Sequence, residues 1–343
     1  MGVSTGQRAH SLSFRLPFRA SGRRPFETGP GHPPSTIKPW TGSSLTTTTT
    51  SSSKSAFASQ VDAYWAEQTI PNPEFGSADE SNRHLEDRAR MYPLFREYMD
   101  AYGDHAGEVI VDYGCGPGND TLGFALSSRA RRVLGVDVSR KALRMAQTRL
   151  DLHGIEADRA QLLLISDSTP TIPLGSATVD YVHSLGVLHH TTHPGAILRE
   201  LHRILKPGGR ACVMVYNRDS IFMHLWIAYT LQIGHGYHQG LGLDEAFAVS
   251  TDGIDCPISR CYRPDDWMEL TIAAGFEPRF VGGYFAQLEL DQYRDVTATA
   301  LADERLGNES RRFLEDITVD GHGHPRFHGS TAGHGGVFML TRT

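Results

Sequence analysis

The chain has 343 residues, 39% hydrophobic and 21% charged, with a formal net charge of −6, a balance that allows a sizeable buried core and excludes fibrous and low-complexity classes. No window approaches the roughly 18 uninterrupted apolar residues of a membrane-spanning helix; the nearest, 221–233, is short and interrupted by His224 and Gln232. Cys115, Cys212, Cys256 and Cys261 fit neither a disulfide framework nor a Cys-x-x-Cys site, so free thiols and a reducing, cytoplasmic setting are expected.

Residues 1–54 carry seven Lys/Arg against the single acid Glu27, with a Ser/Thr run from Ser43 to Ser53. Such a segment cannot bury enough apolar surface to fold and reads as a disordered basic tail, with an organellar targeting segment as the alternative. The remainder then holds 26 basic against 38 acidic residues, which repels phosphates and argues against a nucleic-acid partner.

A catalytic domain is expected over 55–343. Helical patterns at 61–67 and 81–101 form an N-terminal cap (55–105). A βα alternation follows, with strands at 109–113, 132–137, 161–165, 179–184 and 210–216 and helices at 120–127, 140–153 and 194–205. This predicts an α/β, doubly wound, mostly parallel sheet covered on both faces. The stretch 217–263 is longer than an ordinary connection and reads as a partly helical lid insertion. Tyr216, Asn217, His224, Trp226, Tyr229, Tyr237 and His238 are candidates there for pocket wall or core. A helix at 264–274, a strand near 279–284, a second insertion over 287–330 and a last strand at 336–341 complete the chain.

The strongest local signal is VIVDYGCGPG over 109–118, an apolar strand ending in Asp112 and turning through Gly114, Gly116 and Gly118 into a helix. Glycines let a backbone approach a ligand without side-chain clash. About 20 residues on, the next strand ends in Asp137, where an acid can accept both hydroxyls of a ribose. A nicotinamide fingerprint requires glycine five positions after the first, where this chain has Asn119. The G-x-G-x-G spacing, with no pyrophosphate to cradle, suits a sulfonium-linked nucleoside better.

These runs, with GVDVS over 135–139, Asp167 followed by IPL at 172–174, VDYVHS at 179–184, LHH at 188–190 and LKPGG at 205–209, resemble the class I S-adenosylmethionine-dependent methyltransferases. The likeness is to the ubiquinone and menaquinone biosynthesis branch and covers roughly 108–216. It implies a Rossmann-like, seven-stranded sheet and S-adenosyl-L-methionine as cofactor. By the same resemblance Gly114, Gly116 and Gly118 line the cofactor, and Asp112 helps to hold its amino group. Asp137, with Val138 beside it, binds the ribose, Asp167 accepts from the adenine amino group with Ser168 beside the ring, and His183 and Ser184 lie near the methionine end and the acceptor.

His189 and His190 are candidate general bases, since an imidazole titrates near neutrality, with hydrogen bonding at a helix start as the structural alternative. The Lys206-Pro-Gly-Gly209 stretch reads as a turn whose glycines need positive φ, with Lys206 serving the preceding helix C-terminus. Asp252 to Pro257, with Arg260 and Tyr262, resembles a lid segment of small-molecule methyltransferases, and Tyr64 and Trp65 are placed over the cofactor or in the core. His322, His324, His328 and His334 are spaced too irregularly for a metal site, and none is expected. The expected reaction is in-line methyl transfer to an O, N or C nucleophile of a small molecule. The alternatives are a catalytically silent S-adenosylmethionine-binding or scaffolding protein and a nicotinamide-dependent oxidoreductase.

Overall fold

Ser77 opens the first long helix because its hydroxyl accepts from the Glu80 N–H (3.2 Å) while Glu80 accepts from the Gly76 N–H (2.8 Å), pairing donors that have no partner within the helix. The computed structural model describes residues 60–70 and 72–343; the tail expected over 1–54 lies outside the described residues. Residues 60–67 are helical (α1), followed by α2 (Ala78–Met91) and the short α3 (Phe95–Tyr98).

The predicted alternation then appears as β1 (Val109–Tyr113), α4 (Asn119–Ser127), β2 (Arg132–Asp137), α5 (Arg140–Leu152), β3 (Ala160–Leu164) and β4 (Val179–Leu185). A 3-10 turn (Leu188–His190), α6 (Pro194–Ile204) and β5 (Leu205–Asn217) continue it. The structure corrects the sequence reading at β5, which starts at Leu205 and absorbs the expected turn. Only Gly208 there has positive φ (+74°); Gly209 is required by space, since a Cβ would lie 2.8 Å from the Lys206 carbonyl oxygen. Lys206 bonds Asp180 Oδ1 at 2.6 Å instead of capping α6.

Beyond β5 lie a π-helix (Phe222–Gly234), α7 (Leu243–Asp252), β6 (Cys261–Tyr262), α8 (Pro264–Ile272) and β7 (Phe276–Tyr284). Then come α9 (Gln287–Ala302), α10 (Asn308–Glu315), a small antiparallel sheet of β8 (Thr318–Val319), β9 (Pro325–Phe327) and β10 (Ser330–Thr331), and finally β11 (Gly335–Arg342).

The main sheet runs β3-β2-β1-β4-β5-β11-β7, with the two-residue β6 added at the end of β5, making eight strands rather than seven. All are parallel to β1 except β11, which is antiparallel to both neighbours. Alternating side chains divide the core. Val111, Val136, Val182 and Val213 pack with Ile197, Leu201 and Trp267 on one face, and Ile110, Val133, Tyr181 and Met214 with Met99, Leu122 and Phe124 on the other. The π-helix joins α9 and α10 through Leu225, Phe285 and Phe313. Among the described residues, no helix is long and apolar enough to cross a membrane.

The chain winds outward from β1 to β3 and then returns to β4 on the other side of β1. In open α/β sheets ligands lie outside the carboxyl ends of the strands at such a reversal, so the crevice between β1 and β4 positions the site.

Candidate functional site

The β1 strand delivers its chain into the turn 114–118, where Gly114, Gly116 and Gly118 all have positive φ (+74°, +52°, +79°). Two of them are forced by packing: a Cβ on Gly114 would lie 2.3 Å from Val187 Cγ2, and one on Gly118 2.8 Å from Ala146 Cβ. Gly116 differs, because a Cβ there would meet nothing within 4 Å. Gly186, just past β4, is equally open at φ +74°. The backbone is therefore bare toward the crevice at the ends of both central strands.

Asp137 closes the neighbouring strand. Its Oδ2 accepts from the Gly116 N–H at 2.8 Å and its Oδ1 from the Ser139 N–H at 2.7 Å. Each oxygen keeps a lone pair for further hydroxyl donors. Burial pushes its carboxyl above the usual range, and the N–H donors of Ser139, Gly116 and Val138 hold it down. Val138 and Ile165 line a cavity of about 460 Å³ together with Asp62, Ala63 and Ala66 of α1 and with Arg140, Lys141 and Arg144 of α5. Asp62 is tied to the loop after β3: it accepts from Asp167 N (2.7 Å), Ser166 Oγ (2.6 Å) and Ser168 Oγ (2.9 Å). Asp167 is buried, with Oδ2 accepting from Thr192 N and Oγ1 (3.1 and 2.6 Å). It therefore braces the turn after β4 and leaves Oδ1 for another partner.

Beneath the glycine turn, Asp112 Oδ2 accepts from Thr121 Oγ1 at 2.6 Å. Burial first, then the Asp120 carboxylate, pushes its carboxyl up to about 6. Asp120 is held between Arg88 (2.7 and 3.1 Å) and the Tyr102 hydroxyl (2.7 Å). Burial acts to raise its carboxyl, but the Arg88 charge, with His183, brings it well below the usual range. His183 is fully buried, without a hydrogen-bond partner among the described residues on either ring nitrogen, and its Nε2 is 3.6 Å from Asp120 Oδ2. Ser184, also buried, donates to the Tyr113 carbonyl at 3.1 Å.

The two histidines of the 3-10 turn have different surroundings. His189 is fully buried, neither ring nitrogen has a partner among the described residues, and its ring lies 3.9 Å from that of Tyr216. Burial, then the charges of His190, Arg260 and His334, hold its imidazole far below the usual range, so it is neutral and its polar atoms await a partner. His190 Nδ1 is 2.8 Å from the Ile258 carbonyl, and Nε2 is 3.6 Å from Asp252 Oδ1. Asp252 also accepts from Tyr216, Thr251 and Ser259 (3.1, 3.0 and 2.5 Å). With Nδ1 on the Ile258 carbonyl and Nε2 toward Asp252, His190 links the turn to the lid. Burial lowers its imidazole while Asp252 opposes that. Trp65 packs on His190 at 5.0 Å.

Of the aromatic and histidine candidates from Tyr216 onward, Tyr216 enters the site at the end of β5. His224 instead stacks on Phe313 (4.3 Å) beside a separate cavity, and Tyr237 is 59% exposed. Among the described residues, no three His, Cys, Asp or Glu side chains gather as a metal-holding group. The sequence reading missed Asp62, Arg88, Tyr102 and Asp120. Arg88 and Asp120 carry no local signal because their pairing joins α2 to α4.

Residues 111–213 match the family model described as a methyltransferase domain. An uncharacterized 37.1 kDa protein in transposon TN4556 of Streptomyces fradiae is 33% identical over 62% of this chain and 63% of its own length. A ubiquinone biosynthesis O-methyltransferase of Pseudomonas paraeruginosa is 28% identical over 41% of this chain and 60% of its own. The chain thus spans about three fifths of these relatives' length, although the like-named protein of Ralstonia nicotianae matches at 29% over 66% of this chain and 80% of its own. A solved structure, geranyl diphosphate C-methyltransferase from Streptomyces coelicolor A3(2), aligns with 83% of this chain and 97% of its own at TM-score 0.48 and 13% identity, too distant to bear on chemistry. The span 111–213 that matches the methyltransferase domain holds the glycine turn, Asp137, Asp167 and the end of β4.

Proposed function

We propose that this protein transfers a methyl group from S-adenosyl-L-methionine to a small-molecule nucleophile by in-line displacement. The observation that carries the reading is the open backbone at Gly116 and Gly186, flanked by Asp112, Asp137 and the Val138–Ile165 cavity. These residues fit the cofactor. Gly114, Gly116, Gly118 and Ser184 would border its methionine end, Asp112 would meet its amino group, Asp137 its ribose, and Val138, Asp167 and Ser168 its adenine. The cofactor supplies an electrophilic methyl on a positively charged sulfur. The protein's part is to orient the acceptor and exclude water, with α1 (in the 55–105 cap), the lid over 217–263 and the insertion over 287–330 enclosing the crevice.

The O-methyltransferases among the relatives support oxygen as the receiving atom. The four free cysteines support a reducing compartment such as the cytoplasm. Calorimetric titration with S-adenosylmethionine, S-adenosylhomocysteine and NADH tests the reading: micromolar binding of the first two alone is expected, and binding of NADH alone would overturn it.

A further inference from the structure

The assigned machinery leaves unused a buried acid and a half-buried histidine at the same edge of the sheet. Because β11 is antiparallel to β5, its first residues lie at the carboxyl ends of the parallel strands: Gly335 pairs with Tyr216, and the Asn217 N–H donates to the His334 carbonyl at 2.8 Å. The flanking glycines are required by close approach. A Cβ on Gly333 would lie 2.0 Å from the Tyr284 carbonyl oxygen, and one on Gly335 2.4 Å from the Tyr284 ring. The local chain is thereby fitted closely around His334.

Its Nδ1 is 2.6 Å from Glu289 Oε2, and its backbone N–H donates to Glu289 Oε1 at 3.0 Å. Glu289 is 1% exposed and also accepts from the Ala286 N–H at 2.7 Å. A carboxylate only accepts, so the ring proton sits on Nδ1, leaving Nε2 as an acceptor. Buried carboxylates that hold one nitrogen of a histidine are a recurring way to orient the other for proton transfer. The His334 side chain is 15% exposed, with the rings of Tyr284, Phe222 and Tyr92 5.4, 5.7 and 6.1 Å away. His189 on the 3-10 turn is within reach of its charge.

We infer that His334 takes the proton from a hydroxyl of the methyl acceptor, that Glu289 positions it, and that the acceptor carries this hydroxyl on a planar, largely apolar frame. The inference rests on the methyl-transfer reading above. An amine or activated carbon needs no base, whereas a hydroxyl does, and the aromatic walls suit a flat ring. As the acceptor oxygen forms its bond to the methyl carbon, its proton passes to His334 Nε2. The carbon–sulfur bond breaks with its electron pair on sulfur, leaving neutral S-adenosylhomocysteine. The imidazolium faces Glu289, with Tyr92, Tyr284 and His189 the other titratable groups around it, and returns its proton to water.

The test compares the full chain with His334→Gln and Glu289→Gln. On the ligand-free protein, nitrogen-15 NMR of labelled histidine is expected to show the His334 proton on Nδ1 and mixed tautomers in Glu289→Gln. S-adenosylhomocysteine affinity, by calorimetry, is expected unchanged in both. Transfer from labelled S-adenosylmethionine to a panel of phenols and dihydroxybenzoates, with matched anilines as controls, is expected on hydroxyls only. The rate constant at saturation is expected to fall about 100-fold or more in His334→Gln, with KM changed less than threefold. A structural latch would instead lower stability and leave that rate constant within threefold, which overturns the proposal. So does a Nδ1 without its proton, or transfer to anilines but no hydroxyl in a protein that binds S-adenosylhomocysteine. Loss of that binding in the unsubstituted protein overturns the methyl-transfer reading itself.

Discussion

Asp112→Asn should make the ligand-free protein more stable while weakening its grip on the cofactor. Asp112 is 2% exposed, its carboxyl is pushed up to about 6, and its oxygen already accepts from Thr121 at 2.6 Å. An asparagine oxygen can keep that bond without the buried charge. An unfolded aspartate titrates near 3.9, so the shift is about two units, or about 3 kcal/mol of penalty for the charged form at pH 8. The sign follows from proton uptake. Between about pH 4 and 6 the folded state binds a proton that the unfolded state has released, so the native protein loses stability as pH rises through that window and is level above it. The variant lacks this dependence. Its advantage should approach 3 kcal/mol at pH 8 and shrink to about 1 kcal/mol at pH 4.5. Urea unfolding at the two pH values measures this, and calorimetry with S-adenosylhomocysteine measures the matching loss of affinity. A variant that is less stable at pH 8, or whose advantage does not change with pH, would refute the reasoning.

Asp137→Ala should weaken S-adenosylhomocysteine binding by about 1–3 kcal/mol through lost hydroxyl contacts, seen calorimetrically; unchanged affinity would remove Asp137 from the ribose site. Arg88→Met should destabilise by about 3–5 kcal/mol in denaturant titration, since it leaves the Asp120 charge buried, and a loss under 1 kcal/mol would show that Tyr102 and His183 suffice. Gly118→Ala, at φ +79° and with Ala146 Cβ 2.8 Å from the new carbon, should lower stability by at least about 1 kcal/mol and reduce cofactor affinity. Asp62→Ala should speed amide exchange across residues 60–67 while β1 and β4 stay protected, because the Asp62 side chain ties α1 to Ser166, Asp167 and Ser168.

The sheet and the glycine turn were legible in the sequence because their signals are local. The run 109–113 is apolar except for Asp112 and is buried along its whole length, as a strand covered on both faces is, and the spacing of Gly114, Gly116 and Gly118 is a property of one turn. The end of β2 at Asp137 likewise follows from counting along a single βα unit. The start of β5 was misread because a proline and two glycines imitate a free turn, whereas they bulge within a strand whose flanking residues Leu205 and Arg210 pair with Val179 and Tyr181 of β4. The division of labour between His189 and His190, adjacent in sequence, could not be read there: one stacks on Tyr216 with its nitrogens unpaired, and the other is fixed by Ile258 and Asp252 of the lid. Nor did the sequence join Arg88 to Asp120 or Glu289 to His334. Sequence alone determined what each strand end offers, since backbone conformation and hydrophobic period act over a few residues. Which charges face one another was decided only when helices from distant parts of the chain packed and β11 entered the sheet antiparallel, because such contacts depend on how whole elements pack together.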